Sequence, residues 1–285
     1  MKVFQDKIAL RCYIQELNLD INHTIGFVPT MGALHDGHIS LIKQSKQRCN
    51  ITIASIFVNP TQFNDINDFN KYPIQIDKDL EMLLEASCDI VYVPNVEEIY
   101  PNGVDEEKPK IDLGFLGTTL EAEKRPGHYE GVVQVVKKLL EIVQPDFLFL
   151  GQKDYQQCMV IQRLIDVFNI KTNIIICETM REKDGLAMSS RNMRLSSAER
   201  SVAVNLYQAL KDIQDKYARE NIETLIDNNI QKLNEESLIQ VEYLVIVDGK
   251  TLENIKEYQE NIPITTLIAA KVGNIRLIDN LILNR

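Results

Sequence analysis

Two of the four histidines in this chain fall three residues apart, in Pro29-Thr30-Met31-Gly32-Ala33-Leu34-His35-Asp36-Gly37-His38. An apolar run precedes them and a helical pattern follows. A helix beginning near Asp36 would bring both imidazoles to one spot at its N-terminus. Unpaired N–H groups and a partial positive charge make such an end favourable to phosphate. Imidazole N–H groups add donors where charge develops on a phosphate oxygen. Gly32 and Gly37 would let the backbone approach a ligand closely. The same two histidines would also serve as plain helix caps. Zinc would need at least a third ligand; none is near in sequence, although His128 could approach in space.

Three further groups carry chemistry of the same kind. In Phe57-Val58-Asn59-Pro60-Thr61-Gln62-Phe63, the amides of Asn59 and Gln62 can both donate and accept, which suits a hydroxylated organic acid. An Asn-Pro turn with solvated amides is the plainer reading. In Gly151-Gln152-Lys153-Asp154-Tyr155-Gln156-Gln157, Gly151 would give a tight turn and Lys153 a point charge for phosphate. Asp154 can cap the next helix, which places Gln157 about one turn inside it. The segment MREKDGLAMSSRN, residues 180–192, concentrates Arg181, Lys183 and Arg191 in an acidic chain. Ser189 and Ser190 beside the planar fork of Arg191 would clamp phosphate; a solvated linker would look similar. The four together point to a polyphosphate and a polar acid.

The elements that must position these groups are readable from periodicity. Residues 24–28, 51–58, 89–93, 147–150 and 173–177 are short apolar runs, and Pro29 is expected to end the first of them. Helical stripes between them cover a stretch from Ile39 and residues 80–86, 132–143 and 154–168. Near-continuous apolar strands alternating with helices predict an α/β fold with a parallel sheet covered on both faces. Ligands of such sheets sit beyond the carboxyl ends of the strands, where all four groups fall. After residue 178 the texture changes. Residues 196–220 and 222–236 read as helices, the first opening with capping-box spacing from Ser196 to Glu199. Residues 241–247, 265–270 and 276–278 read as strands. The expected organisation is a Rossmann-like domain over residues 1–178 and a smaller α+β domain over 179–285.

Composition excludes several classes. With 285 residues, 45% hydrophobic and 25% charged, the chain is neither disordered nor a small disulfide scaffold. A net charge of -10 disfavours general nucleic-acid binding and an anionic membrane surface. No run of about 18 uncharged apolar residues marks a membrane span, and the first 17 residues carry charges throughout, unlike a secretory leader. The five cysteines, Cys12, Cys49, Cys88, Cys158 and Cys177, form no CxxC motif and fit reduced thiols in the cytoplasm.

The segments PTMGALHDGH, SIFVNPTQF, RPGHYEGV, QPDFLFLGQKDYQQ and DGLAMSSRN, with a closing LIDN, resemble the pantoate–β-alanine ligase family over nearly the whole length. HDGH resembles the HIGH motif of the nucleotidylyltransferase superfamily, and MSSRN the counterpart of its KMSKS loop. The resemblance implies a homodimer with a Rossmann-like N-terminal domain and a smaller C-terminal domain that closes over the site. It implies two steps: pantoate and Mg-ATP give pantoyl adenylate and pyrophosphate, and β-alanine then displaces AMP. If residues 51–58 form an edge strand, that strand is a candidate dimer interface.

By the same resemblance Met31, Gly32, Ala33, Leu34, His35, Asp36, Gly37 and His38 would hold ATP, with His38 the proton donor and His35 its partner on the phosphates. Gly151, Gln152, Lys153 and Asp154 would bind ATP, Lys153 at the phosphates, and Met180 would meet adenine through its backbone. Met188, Ser189, Ser190 and Arg191 would clamp the triphosphate. Gln62 and Gln157 would bind pantoate, Gln62 also lying near β-alanine. Many relatives carry an acidic residue where this chain has Gln152, so Gln152 is left outside the catalytic set of His35, His38, Lys153, Ser189, Ser190 and Arg191. Attack of a carboxylate on an α-phosphate needs alignment and charge neutralisation, with no protein nucleophile. Mg²⁺ would arrive with ATP, held mostly by phosphates and water. The alternatives are a non-catalytic nucleotide-binding module, another transferase of the superfamily and, more distantly, a zinc hydrolase.

Overall fold

Branched apolar runs become parallel strands because the interior ones are buried on both faces, and the helices between them supply the cover. The computed structural model describes residues 1–17, 23–63, 69, 72–105 and 108–284. Contacts divide the chain into two compact units, Met1–Gly151 with Val160–Cys177, and Gln152–Met159 with Glu178–Arg285.

The first unit runs β1 (Lys2–Phe4), α1 (Lys7–Glu16), β2 (Ile25–Thr30), α2 (Asp36–Arg48), β3 (Ile51–Ile56), α3 (Ile76–Glu85), β4 (Ile90–Tyr92), α4 (His128–Val143) and β5 (Phe147–Gly151). Helix α5 (Tyr155–Phe168) and strand β6 (Asn173–Cys177) follow. The sheet order is β1-β4-β3-β2-β5-β6, parallel throughout. The chain builds outward from β2 through β3 to β4 and then outward again from β5 to β6. The order therefore reverses between β2 and β5, which is where doubly wound sheets bind ligands. One core cluster packs Val28, Ala54 and Val91 of the sheet against Ile42 of α2 and Leu83 of α3.

Two expectations are corrected here. Strand β3 is interior, hydrogen-bonded to β2 and β4, so it offers no free edge for a partner. Pro29 does not end β2 but pairs with Ser55 inside it. The odd-numbered residues of β2 turn their backbone groups toward β5, as the bond from Asp146 N to Ile25 O shows, and β2–β5 pairing stops at Phe27. The missing N–H of Pro29 thus falls where no ladder bond is due. Periodicity also missed β1 and α1. The strand is three residues long at the sheet edge, and of the helix's residues Leu10 alone is buried, so neither carries a clear apolar pattern.

The second unit contains α6 (Ser197–Ala203), α7 (Asn205–Lys216), α8 (Ile222–Asn234), β7 (Ile239–Asp248), β8 (Ile264–Val272) and β9 (Ile275–Asn284). The strands form an antiparallel sheet in the order β7-β8-β9, with Leu210, Ile213 and Leu225 from the helices packed in one core with Ile246 and Ile268. Ser196 and Glu199 make the capping box their spacing predicted, with bonds of 3.3 Å and 2.7 Å. The single helix expected over 196–220 is divided at Val204, whose N–H turns to Val202 O instead of continuing the ladder. Among the described residues no helix is long and apolar enough to cross a membrane.

Candidate active site

The loop after β2 is held at three points. Thr30 Oγ1 donates to Ser55 O at 2.7 Å and accepts from Gly32 N at 3.2 Å. Gly32 (φ 78°) and Ala33 (φ 50°) both take left-handed backbone conformations, which a non-glycine residue adopts only when its surroundings hold it there. The holder is Asp79, one turn before Leu83 on the buried face of α3. Its carboxylate is 0% exposed and accepts from Ala33 N at 2.9 Å and Leu34 N at 2.8 Å.

The chain then enters α2 with His35 as its N-cap. His35 Nδ1 accepts from Gly37 N at 3.1 Å, and His38 Nδ1 accepts from the His35 backbone N at 3.3 Å. This is a reciprocal capping box built from two imidazoles. A nitrogen that accepts carries no proton, so both neutral rings bear their N–H at Nε2. The ring centroids are 4.1 Å apart. The helix end that sequence spacing predicted is therefore formed, and the caps and the prospective phosphate donors are the same two residues. Asp36 is the first helical residue, and Gly37 supplies the capped N–H.

After β3, Asn59 caps a single 3₁₀ turn, Pro60–Gln62. Asn59 is 1% exposed, and its Oδ1 accepts from Tyr100 Oη at 2.7 Å and Thr61 Oγ1 at 3.1 Å. Its Nδ2 donates to Gln62 Oε1 at 3.1 Å and Gly131 O at 3.2 Å. Asn59 thus braces Gln62 and is not itself a ligand-facing amide. Gln62 Nε2 lies 2.9 Å from Met31 Sδ, which brings together two residues assigned to different ligands. His128 Nδ1 is 2.9 Å from Gln62 O, and its Nε2 is 3.1 Å from Arg125 Nη1. A carbonyl only accepts and a guanidinium only donates, so His128 is protonated at Nδ1. Its ring holds the Gln62 backbone. Gly131 permits the whole arrangement, because a Cβ there would stand 2.2 Å from Thr61 O. Among the described residues no three His, Cys, Asp or Glu side chains could hold a metal together.

In the second unit, Gln152–Asp154 forms a single 3₁₀ turn ahead of α5. Lys153 Nζ is 3.6 Å from Asp154 Oδ1. Lys153, Ser189, Arg191, Arg276 and Asp279 line one small pocket. Ser189 Oγ accepts from Arg191 N at 3.3 Å and caps the 3₁₀ turn Ser190–Arg194. Met188 N donates to Met180 O at 2.9 Å, so the Met180 carbonyl is already bonded within the protein. Gln157 is half-buried on α5.

Two expectations for residues 151–192 change. Gly151 is the last residue of β5, paired with Cys177, and lies outside the left-handed region, so glycine freedom is not what turns the chain there. Of the three cations in 180–192, Lys183 is exposed and Arg181 is committed elsewhere. Arg181 donates to both oxygens of Asp279 at 2.6 and 2.9 Å, and its guanidinium sits 3.9 Å from the Tyr207 ring centroid. Burial pushes the Asp279 carboxyl pKa up, and Arg181 acts against that shift. Arg191 alone of the three lines the pocket. Arg200 holds the neighbouring Asp184 carboxyl below its usual range, but this pair is exposed and contributes little.

A doubly wound parallel sheet whose strand beside the switch point runs into a histidine-bearing helix N-terminus defines the class: an α/β enzyme that handles nucleotide phosphates. The sequence model of the pantoate–β-alanine ligase family matches residues 2–282. The chain is 48% identical over 278 residues to pantothenate synthetase of Cytophaga hutchinsonii, covering 95% of this chain and 97% of that one. It is 40% identical over 281 residues to pantothenate synthetase of Porphyromonas gingivalis, covering 99% of each. Its fold matches the crystal structure of pantothenate synthetase from Thermus thermophilus with a TM-score of 0.91, 33% identity and full coverage of both chains. It also matches pantoate–β-alanine ligase of Francisella tularensis, solved with β,γ ATP and β-alanine, with a TM-score of 0.80, 36% identity and coverage of 99% and 98%. This chain belongs to the pantoate–β-alanine ligase family.

Proposed function

We propose that this ligase makes pantothenate in two steps through an adenylate. A pantoate carboxylate oxygen attacks the α-phosphorus of ATP and pyrophosphate leaves. The β-alanine amine then attacks the acyl carbon, loses a proton, and AMP leaves. Neither step needs a protein nucleophile; both need donors fixed in advance where negative charge grows.

The reciprocal histidine cap carries this reading. It fixes both rings in the tautomer that presents Nε2–H, so no reorganisation is needed when phosphate oxygens gain charge. His38 is the proton donor and His35 its partner on the phosphates. Residues Met31 to His38 hold ATP, as do Gly151 to Asp154, with Met180 at adenine. Lys153, Ser189, Ser190 and Arg191 bind phosphate oxygens, Met188 beside them. Gln62 and Gln157 bind pantoate, and Gln62 also serves β-alanine; the bracing of Gln62 by Asn59 and His128 supports that role. ATP enters as its Mg²⁺ complex, the metal held mostly by phosphates and water. We further propose a cytoplasmic homodimer, with residues 1–178 as the nucleotide and pantoate domain and 179–285 as a lid domain.

The test is AMP and pyrophosphate release from ATP, with each substrate omitted in turn. Pyrophosphate exchange that needs pantoate alone, and AMP release that needs both acids, support the two steps. ATP binding without turnover under any condition points instead to a non-catalytic nucleotide-binding module.

A further inference from the structure

The closing Leu-Ile-Asp-Asn of the chain, on β9, has no role in the chemistry above, yet it reaches the segment that carries Lys153. Asn280 is 1% exposed. Its Nδ2 donates to Gln152 O and to Lys153 O, both at 2.9 Å, and its Oδ1 accepts from Gln152 Nε2 at 3.0 Å. One side-chain amide thus grips the carbonyls of the two peptides that start and end at Lys153. Only the carboxamides of Asn and Gln supply two N–H donors and an acceptor from one neutral planar group. Asn280 is anchored in turn. Its backbone N donates to Asp279 Oδ1 at 2.7 Å, and its carbonyl accepts from Arg181 Nη2 at 3.2 Å. Arg181 also neutralises Asp279, which lines the same pocket as Lys153 and would otherwise compete for its ammonium.

We infer that Asn280 is a positioning residue for Lys153, setting the direction from which the ammonium enters the pocket beside Ser189 and Arg191. Gln152 takes part through its amide, which donates to Asn280 Oδ1 and leaves both Nδ2 hydrogens for the carbonyls. The inference rests on the proposed role of Lys153 in adenylate formation. A lysine stem has four rotatable bonds, so fixing its backbone concentrates the ammonium where the phosphate charge develops. Misplacement by about 1 Å costs roughly 100-fold in such steps.

The experiment uses the full-length protein with Asn280→Ala and Asn280→Asp, each alone and combined with Lys153→Ala. Asn280→Asp keeps the acceptor facing Gln152 but sets an oxygen against two carbonyls. Pantoate-dependent ATP–pyrophosphate exchange reads the first step. Pantothenate formation from supplied pantoyl adenylate and β-alanine reads the second, and thermal unfolding reports the fold. The expected result is exchange reduced roughly 10- to 100-fold, with the second step within about twofold of wild type. Neither Asn280 change should add more than about twofold in the Lys153→Ala background, the signature of two residues acting as one unit. Wild-type exchange in both variants would overturn the inference. So would an equal loss in both steps, or an undiminished loss in the Lys153→Ala background. Should Asn280→Ala not fold, Asn280→Asp is read by the same criteria. A wild-type protein without pantoate-dependent exchange refutes the two-step reading itself and is scored before any variant.

Discussion

Asp79→Asn tests what holds the loop ahead of the two histidines. The native carboxylate divides its oxygens between Ala33 N at 2.9 Å and Leu34 N at 2.8 Å, with no exposure to water. Hydrogen bonds to a charged acceptor contribute about 1.5–3 kcal/mol each. Asparagine keeps one oxygen but turns an NH₂ toward the other backbone N–H. One bond is lost, a buried donor is left unsatisfied, and the surviving bond weakens as its acceptor becomes neutral. The sum is a cost of about 2–4 kcal/mol. Because Ala33 and Leu34 are buried, 5% and 3% exposed, most of that cost should appear in global stability. The remainder should appear as escape of Ala33 from its left-handed conformation, which lowers the fraction of protein competent to bind ATP. Urea unfolding at unchanged slope measures the first part, and the ATP KM in pyrophosphate exchange measures the second. A variant with stability within about 0.5 kcal/mol of wild type and an unchanged ATP KM would refute this account, since 0.5 kcal/mol is the scale of an ordinary surface substitution.

Gly131→Ala should displace the Thr61–Gln62 backbone, because the new Cβ meets Thr61 O at 2.2 Å and its carbonyl carbon at 2.5 Å. Destabilisation of about 1–3 kcal/mol or more is expected, with pantoate KM raised more than ATP KM; separate titration of each substrate checks it. His38→Ala, Lys153→Ala and Arg191→Ala should each slow adenylate formation by roughly two orders of magnitude or more. A near-wild-type single-turnover rate in one of them removes that residue from its assigned role. The thiols give a pH prediction. Burial pushes Cys88 and Cys177 up to about 12 from 9.0, so the folded state keeps protons that the unfolded state releases. Their contribution is full below pH 9 and drains between pH 9 and about 12, at most about 1.4 kcal/mol per pH unit for each thiol. Urea unfolding from pH 8 to 11 should show this loss, and a Cys88→Ala, Cys177→Ala double variant should flatten it. At pH 8 the exposed Cys12 should label first and the four buried cysteines only on unfolding.

What could be read from the chain alone was local. The strand-then-helix rhythm of residues 24–177 predicts a parallel sheet, because burial on both faces imposes near-continuous apolar runs. Three-residue spacing brought His35 and His38 to one helix end, and the same spacing made the Ser196–Glu199 capping box, since both depend on the geometry of a single helical turn. Motifs marked Gln62, Lys153 and Arg191 by their chemistry. What decided their surroundings was tertiary. Asp79 grips Leu34 from 45 residues away, Gly131 makes room for Thr61 and Gln62, and Asn280 holds Lys153 across 127 residues. Nothing in the local pattern of Asp79 separates it from the exposed acids beside it on α3. Likewise Pro29 reads as a strand end until the sheet order shows that no neighbour needs its missing N–H. Side-chain chemistry and helical spacing are properties of a few adjacent residues. Which backbone groups are left in want of a partner, and which distant side chain meets them, depends on how the sheets are ordered.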